Sequence, residues 1–117
     1  MKYALLMYAD PSHTKAMSEG ELDVVLRKHE ALRAELTESA ELVGGAGLAL
    51  PEETTALRLG PDGAETSHGP LSTSSSEHLT AYYEVECASL ERARQIAAHL
   101  LDHHVTAVEV RRIHSSS

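Results

Sequence analysis

At 117 residues with 42% apolar side chains, the chain holds enough material for one hydrophobic core and too little for two. Its 18 acidic against 10 basic residues give a formal net charge of −8, which opposes binding to a nucleic-acid backbone or an anionic membrane. The single cysteine, Cys87, excludes an internal disulfide, and the apolar run 3–8 is too short for a signal-peptide core or a membrane span, so a reduced cytoplasmic setting is expected.

Met1 to Tyr8 is apolar on both alternating faces, Tyr3/Leu5/Met7 and Ala4/Leu6/Tyr8, the pattern of an interior strand covered on each side. Asp10-Pro11-Ser12 marks a turn. Ser18-Glu19-Gly20-Glu21 has the Ser-x-x-Glu form of a capping box, and Leu22, Val25, Leu26, Leu32 and Leu36 then repeat at helical spacing, which predicts a long amphipathic helix. Residues 41–48 read as a helix exit followed by a glycine-rich strand. Its missing side chains admit either a neighbouring backbone, in tight packing or a bulge, or a ligand.

Thr54 to Leu59 and Ala64 to Ser67 flank Pro61-Asp62-Gly63 as two arms of a hairpin, and Ser67-His68-Gly69-Pro70-Leu71 makes a sharp corner that aims His68. After the polar connector 72–76, Leu79 to Cys87 alternates as a strand with Cys87 packed inside. Ser89 can cap a second helix with the stripe Leu90, Ala93, Ile96, Ala97, Leu100 and Leu101. Val105 to Ile113 closes the pattern as a strand with Val108 and Val110 on one face, leaving a flexible tail over 114–117. Strand, helix, strand, hairpin, strand, helix, strand predicts an α+β fold of the ferredoxin-like β-α-β-(hairpin)-β-α-β type over residues 1–113. Both helices would cover one sheet face. A second copy is the simplest cover for the other, so a homodimer closing a dimeric α+β barrel is expected.

The run Met1-Lys2-Tyr3-Ala4-Leu5-Leu6-Met7-Tyr8, His29 within its helix, Leu42-Val43-Gly44-Gly45-Ala46-Gly47-Leu48, Gly69-Pro70, Tyr82-Tyr83 and Val108-Glu109-Val110-Arg111 together resemble the YCII-related domain family, in its Asp-Gly-Pro-Phe (DGPF) motif branch. The resemblance spans nearly the whole chain and implies the dimeric α+β barrel. It also implies two functional settings: one relative is an enzyme that eliminates chloride from a chlorinated hydroxyquinol, and others sit beside extracytoplasmic-function sigma factors. The family histidine falls on His29, and the aspartate that pairs with it falls on Asp102, followed here by His103 where the family has proline. This chain departs from the motif itself, with His68 in place of Asp and Leu71 in place of Phe, which exchanges an anionic acceptor for an imidazole.

Helical spacing places His29 inside the apolar stripe, four residues after Val25 and three before Leu32, so it is directed at the sheet as either a core histidine or a proton-transfer group. His68 at the corner and Tyr8, Tyr82 and Tyr83 on strands are the candidate ligand-binding side chains for a small cyclic or aromatic compound, although only one of Tyr82 and Tyr83 can face a given side. His99 and His103, with His104, His78 and Asp102, have the residue types of a metal site. Attraction of histidine to a helix C-terminus explains the pair more simply, and neither a metal nor a cofactor is expected. Three functions follow, in this order: a cofactor-independent lyase or isomerase using His29 for proton transfer, a non-catalytic small-molecule-binding or regulatory module associated with transcription, and a His-based metal-binding protein.

Overall fold

Strand alternation in the N-terminal run decides the architecture. In the computed structural model, which describes residues 1–115, β1 (Lys2–Ala9) buries Tyr3, Leu5, Met7 and Ala9 and leaves Lys2, Ala4, Leu6 and Tyr8 half-buried on the opposite face. One chain therefore covers only one of the two apolar faces. Asp10 starts a helix rather than a simple turn: its carboxylate accepts from the Ser12 N–H at 2.9 Å, and Pro11 occupies the first turn of α1 (Pro11–Ala16). Asp before Pro is a helix start as well as a turn signal, because proline's missing N–H is not needed there.

The long helix α2 (Glu19–Glu38) opens with the expected capping box: Ser18 Oγ accepts from the Glu21 N–H at 3.1 Å, and the Glu21 carboxylate accepts from the Ser18 N–H at 3.2 Å. It closes at Ser39 with Ala40 at φ 62°, and the Glu41 N–H returns to the Leu36 carbonyl at 2.8 Å. The chain then enters β2 (Leu42–Gly47).

After a 3-10 turn at Pro51–Glu53, β3 (Thr55–Gly60) and β4 (Gly63–His68) pair as the hairpin, a two-stranded sheet of its own. β4 is exposed throughout and Leu59, near the tip, is 91% exposed. This arm helps to explain a radius of gyration of 16.0 Å, where a rounded chain of this length would have about 13 Å. The corner after it forms as expected, with Gly69 at φ 107° and its N–H donating to the Thr54 carbonyl at 2.7 Å.

β5 (His78–Glu86), α3 (Leu90–Ala98) and β6 (Ala107–Arg112) complete the fold, with Ser89 capping α3 by accepting from the Arg92 N–H. The helix stops at Ala98, so Leu100 enters the core from the following loop, while Leu90 and Leu101 at the ends of the stripe remain about half exposed. Cys87 lies one residue beyond β5, buried, with its thiol donating to the Ser89 carbonyl. Of the tail at 114–117, Ser116 and Ser117 lie outside the described residues.

The main sheet has four strands in the order β2-β5-β1-β6, every neighbouring pair antiparallel. β1 and β2 thus run parallel on either side of β5, joined through α2, and β5 and β6 run parallel on either side of β1, joined through α3. Both helices bury their apolar residues on the same face: Leu32 and Leu36 of α2 and Ala93, Ile96 and Ala97 of α3 meet Tyr3, Leu5, Met7, Tyr83 and Val85. Each fully buried leucine there, such as Leu5 or Leu36, contributes about 1.5–3 kcal/mol. Arg92 grips the Glu41 carboxylate through Nε and Nη2 at 2.9 and 2.8 Å, pinning α3 to the start of β2. Among the described residues no helix is long and apolar enough to cross a membrane.

Candidate functional site

The helical stripe of α2 is buried unevenly, and that unevenness makes a cavity. Leu32 and Leu36, toward the C-terminus, are buried, whereas Leu22 and Leu26, in the first half, are 47% and 52% exposed. The first half of α2 thus roofs a cavity of about 510 Å³, open to solvent, whose floor is β2 and β5. Gly44, Gly45 and Gly47 supply the β2 side. A Cβ on Gly45 would lie 2.6 Å from the Tyr82 carbonyl oxygen and 2.9 Å from the Tyr83 ring, whereas one on Gly44 or Gly47 would meet nothing within 4 Å. Gly45 therefore answers the packing reading of the glycine strand, and Gly44 and Gly47 leave open backbone beside the cavity.

His29 hangs from the roof and Tyr83 rises from the floor. Their Nδ1 and hydroxyl oxygen are 2.8 Å apart, and the rings meet edge to face at 5.9 Å between centroids. Burial pushes the His29 pKa down, aided by the charge of Lys28; Asp102 pulls the other way, and Arg33 and His104 add to the fall. Burial pushes the Tyr83 phenol up, opposed by Arg33. At neutral pH the pair is a neutral imidazole against a protonated phenol. With the imidazole proton on Nδ1, donated to the phenol oxygen, Nε2 carries a free lone pair and the phenol O–H is available to a ligand; with it on Nε2, the phenol donates to Nδ1.

The His29–Asp102 pairing implied by the family resemblance is not made as a hydrogen bond. Asp102 Oδ1 accepts from the N–H groups of His104 and Val105 at 2.7 and 2.6 Å, and Oδ2 accepts from Lys28 Nζ at 3.0 Å. Burial raises the Asp102 pKa, but the Val105 N–H, Lys28 and the His104 N–H outweigh it and hold the carboxyl below its usual range. Asp102 lines a second cavity of about 580 Å³ on the far side of α2, together with His13, Met17, Lys28 and His103. Val25 and His104 border both cavities, and His104 Nδ1 is 3.2 Å from Thr14 Oγ1.

Strand register separates the tyrosines. Tyr83 pairs with Leu5 and faces the helices, while Tyr82, opposite Leu6, faces away from them on the same side of the sheet as Tyr8. Tyr8 donates to the Glu109 carboxylate, a bond that, with burial, pushes its phenol pKa up. His68 ends the exposed β4 arm and does not line the His29 cavity. Of the candidate side chains, His29 and Tyr83 come together; Asp102, His68, Tyr8 and Tyr82 lie elsewhere. Among the described residues no three His, Cys, Asp or Glu side chains gather as a metal-binding group.

Arg33 and His104 line the cavity as well, and neither stood out in the sequence as a partner of His29. Arg33 was findable, because it follows His29 by four residues and so shares its helical face. His104 comes from the loop after α3, and spacing carries no hint of it.

A mixed α+β protein with an antiparallel sheet, three helices among its described residues and an open cavity roofed by a histidine-bearing helix is the class defined by this geometry. No protein-family model matches the chain. It is 34% identical over 102 residues, covering 86% of this chain and 80% of the relative, to the uncharacterized protein R00369 of Rhizobium meliloti (strain 1021), and it belongs to that protein's family.

Proposed function

We propose that the chain is a ferredoxin-like, YCII-related protein that forms a dimeric α+β barrel and uses His29 and Tyr83 for proton transfer on a small cyclic or aromatic compound. The observation that carries the reading is the 2.8 Å contact between a neutral imidazole and a protonated phenol inside a 510 Å³ cavity. With the proton on Nδ1, His29 Nε2 takes a proton from the carbon next to a ligand carbonyl. The C–H electron pair moves toward the oxygen, where the Tyr83 O–H donates to the growing negative charge. Return of the proton at another carbon is isomerisation; departure of a neighbouring leaving group with its bonding pair is elimination. Both are redox-neutral.

Strand order β2-β5-β1-β6, with helical crossovers joining each parallel pair, supports the ferredoxin-like arrangement. Leu6 and Tyr82 opposite one another on the uncovered face support a two-fold pairing of sheets. The cytoplasmic setting belongs to the same reading.

Deuterium exchange into cyclic ketones in D₂O, and halide release from chlorinated hydroxyquinols, test the chemistry. His29→Gln is expected to lower exchange about 10²–10⁴-fold and Tyr83→Phe about 10²–10³-fold. Exchange that survives both substitutions removes the catalytic reading. Sedimentation tests the dimer: Leu6→Glu should yield monomer, and a wild-type protein that is monomeric at high concentration defeats the barrel.

A non-catalytic binding module associated with transcription is the second reading, favoured by the projecting hairpin with Leu57 and Leu59 exposed. Under it, ligands bind at the cavity without exchange or halide release.

A further inference from the structure

The acidic side chains of this chain avoid the His29 cavity altogether. Although the protein carries 18 carboxylates and a net charge of −8, no Asp or Glu is among the described residues that line the cavity. Its ionisable residues are His29, Arg33, Tyr83 and His104, every one a hydrogen-bond donor in some protonation state and none an anion at neutral pH. Lys28, the nearest other cation along the helix, is occupied by Asp102 on the opposite side. Arg33 has no carboxylate partner in any ion pair among the described residues.

An unpaired guanidinium beside a cavity is a site for a planar anion, because its fork of N–H donors matches a carboxylate two by two. Apart from Thr80, the remaining side chains are apolar, Met7, Leu22, Leu26, Leu42 and Leu48 among them, with the bare backbone at Gly47 giving a flat ligand room to lie against the strand. One end of the cavity therefore favours negative charge and the rest favours a ring or short hydrocarbon.

We infer that the ligand of this cavity is an organic anion, a small carboxylate with a planar apolar body, whose carboxylate is bound by Arg33 and whose body reaches the His29–Tyr83 pair. The inference rests on the cavity reading above and adds the charge of the ligand to it. Arg33 acts as a specificity residue, one helical turn from His29, so the anchored group and the reacting carbon are held on one line along α2. The cationic rim also draws anions past a surface that otherwise repels them.

Benzoate and its neutral isostere benzamide are the probes, followed through the His29 and Tyr83 ring signals by NMR at about pH 8, where benzoate is anionic and His29, its pKa pushed down by burial, is neutral. Wild type should bind benzoate at least about tenfold more tightly than benzamide, the scale of one charge-assisted hydrogen-bond pair. Added salt should weaken benzoate alone. Arg33→Gln should erase the preference by weakening benzoate far more than benzamide, and Arg33→Lys should restore part of it. Arg33 is exposed, so these variants fold. Equal affinities in wild type, or a preference that survives Arg33→Gln, overturn the anion assignment and leave the cavity reading standing. If neither probe moves the two rings, the cavity reading falls and takes the inference with it.

Discussion

Gly45 lies so close to Tyr83 that a Cβ in its place would come within 2.9 Å of the ring and 2.6 Å of the Tyr82 carbonyl oxygen. The Tyr83 phenol is therefore positioned by the absence of a side chain on the neighbouring strand. Gly45→Ala should destabilise the fold by about 1–3 kcal/mol, the usual cost of forcing extra volume into packed surroundings. It should also turn the Tyr83 ring away from His29. Gly47→Ala, with nothing within 4 Å of its Cβ, should leave stability nearly unchanged. Melting curves and the Tyr83 ring resonances check both, and equal effects at the two glycines would contradict this account.

How much of this was legible beforehand differs between fold and site for a physical reason. Helix starts are local: Ser18 and Glu21 satisfy each other's backbone within four residues, and Ser89 does the same for Arg92, so both helices could be read from the chain. Asp10-Pro11 is equally local but serves two structures, so the sequence alone does not tell the helix from a turn. His29 could be placed on the sheet side of its helix by periodicity alone, yet its partner comes from a strand 54 residues away. Tyr83 was separable from Tyr82 only once the register fixed which of them faces the helices. The family resemblance implies Asp102 as the partner of His29, and the competing donors that occupy it, Lys28 and two backbone N–H groups, carry no sequence signal.

The depressed pKa of His29 has a consequence for stability. From α2, Lys28 and Arg33 face the imidazole; Tyr83 faces it from β5; Asp102 and His104 act from the loop after α3. Because the folded pKa lies below 6.5, the unfolded chain binds more protons between the two midpoints. Stability should therefore fall as pH drops from about 6.5 toward the folded midpoint, and the His29 contribution should be flat above that range. His29→Gln should reduce this acid slope. Urea unfolding across the range measures it, and an unchanged slope in the variant would assign the titration to another of the histidines.

Ala40 stands at φ 62° just beyond α2, where the Glu41 N–H closes onto the Leu36 carbonyl. This left-handed position costs an alanine about 1–2 kcal/mol, which glycine avoids. Glycine loses about 0.4–1 kcal/mol through its freer unfolded state. Ala40→Gly should thus stabilise the protein by about 0.5–1 kcal/mol, visible as a rise of a few degrees in Tm. Ala40 is not among the residues that line the cavity, so probe binding should not change. A lower Tm would mean that the alanine side chain makes contacts worth more than the backbone strain.

Asp102 separates a structural role from a proton-relay role most directly. Its Oδ1 accepts from two backbone N–H groups at 2.7 and 2.6 Å, and its Oδ2 pairs with Lys28 at 3.0 Å. Asp102→Ala removes all three and should cost about 1–3 kcal/mol by leaving partly buried donors unpaired. Asp102→Asn keeps an oxygen for both N–H groups and loses only a partly exposed charge pair, so it should cost about 1 kcal/mol or less. The carboxyl is held below its ordinary pKa of 3.8, so its stabilising contribution is present above that pH and is lost as pH falls through the lower folded value. Since Asp102 raises the His29 pKa only through space, Asp102→Asn should shift the His29 titration slightly further down and leave its bond to Tyr83 intact. If instead Asp102→Asn stopped proton exchange while preserving the fold, the carboxylate would have to reach His29 in a conformation different from this one, and the dyad would be restored.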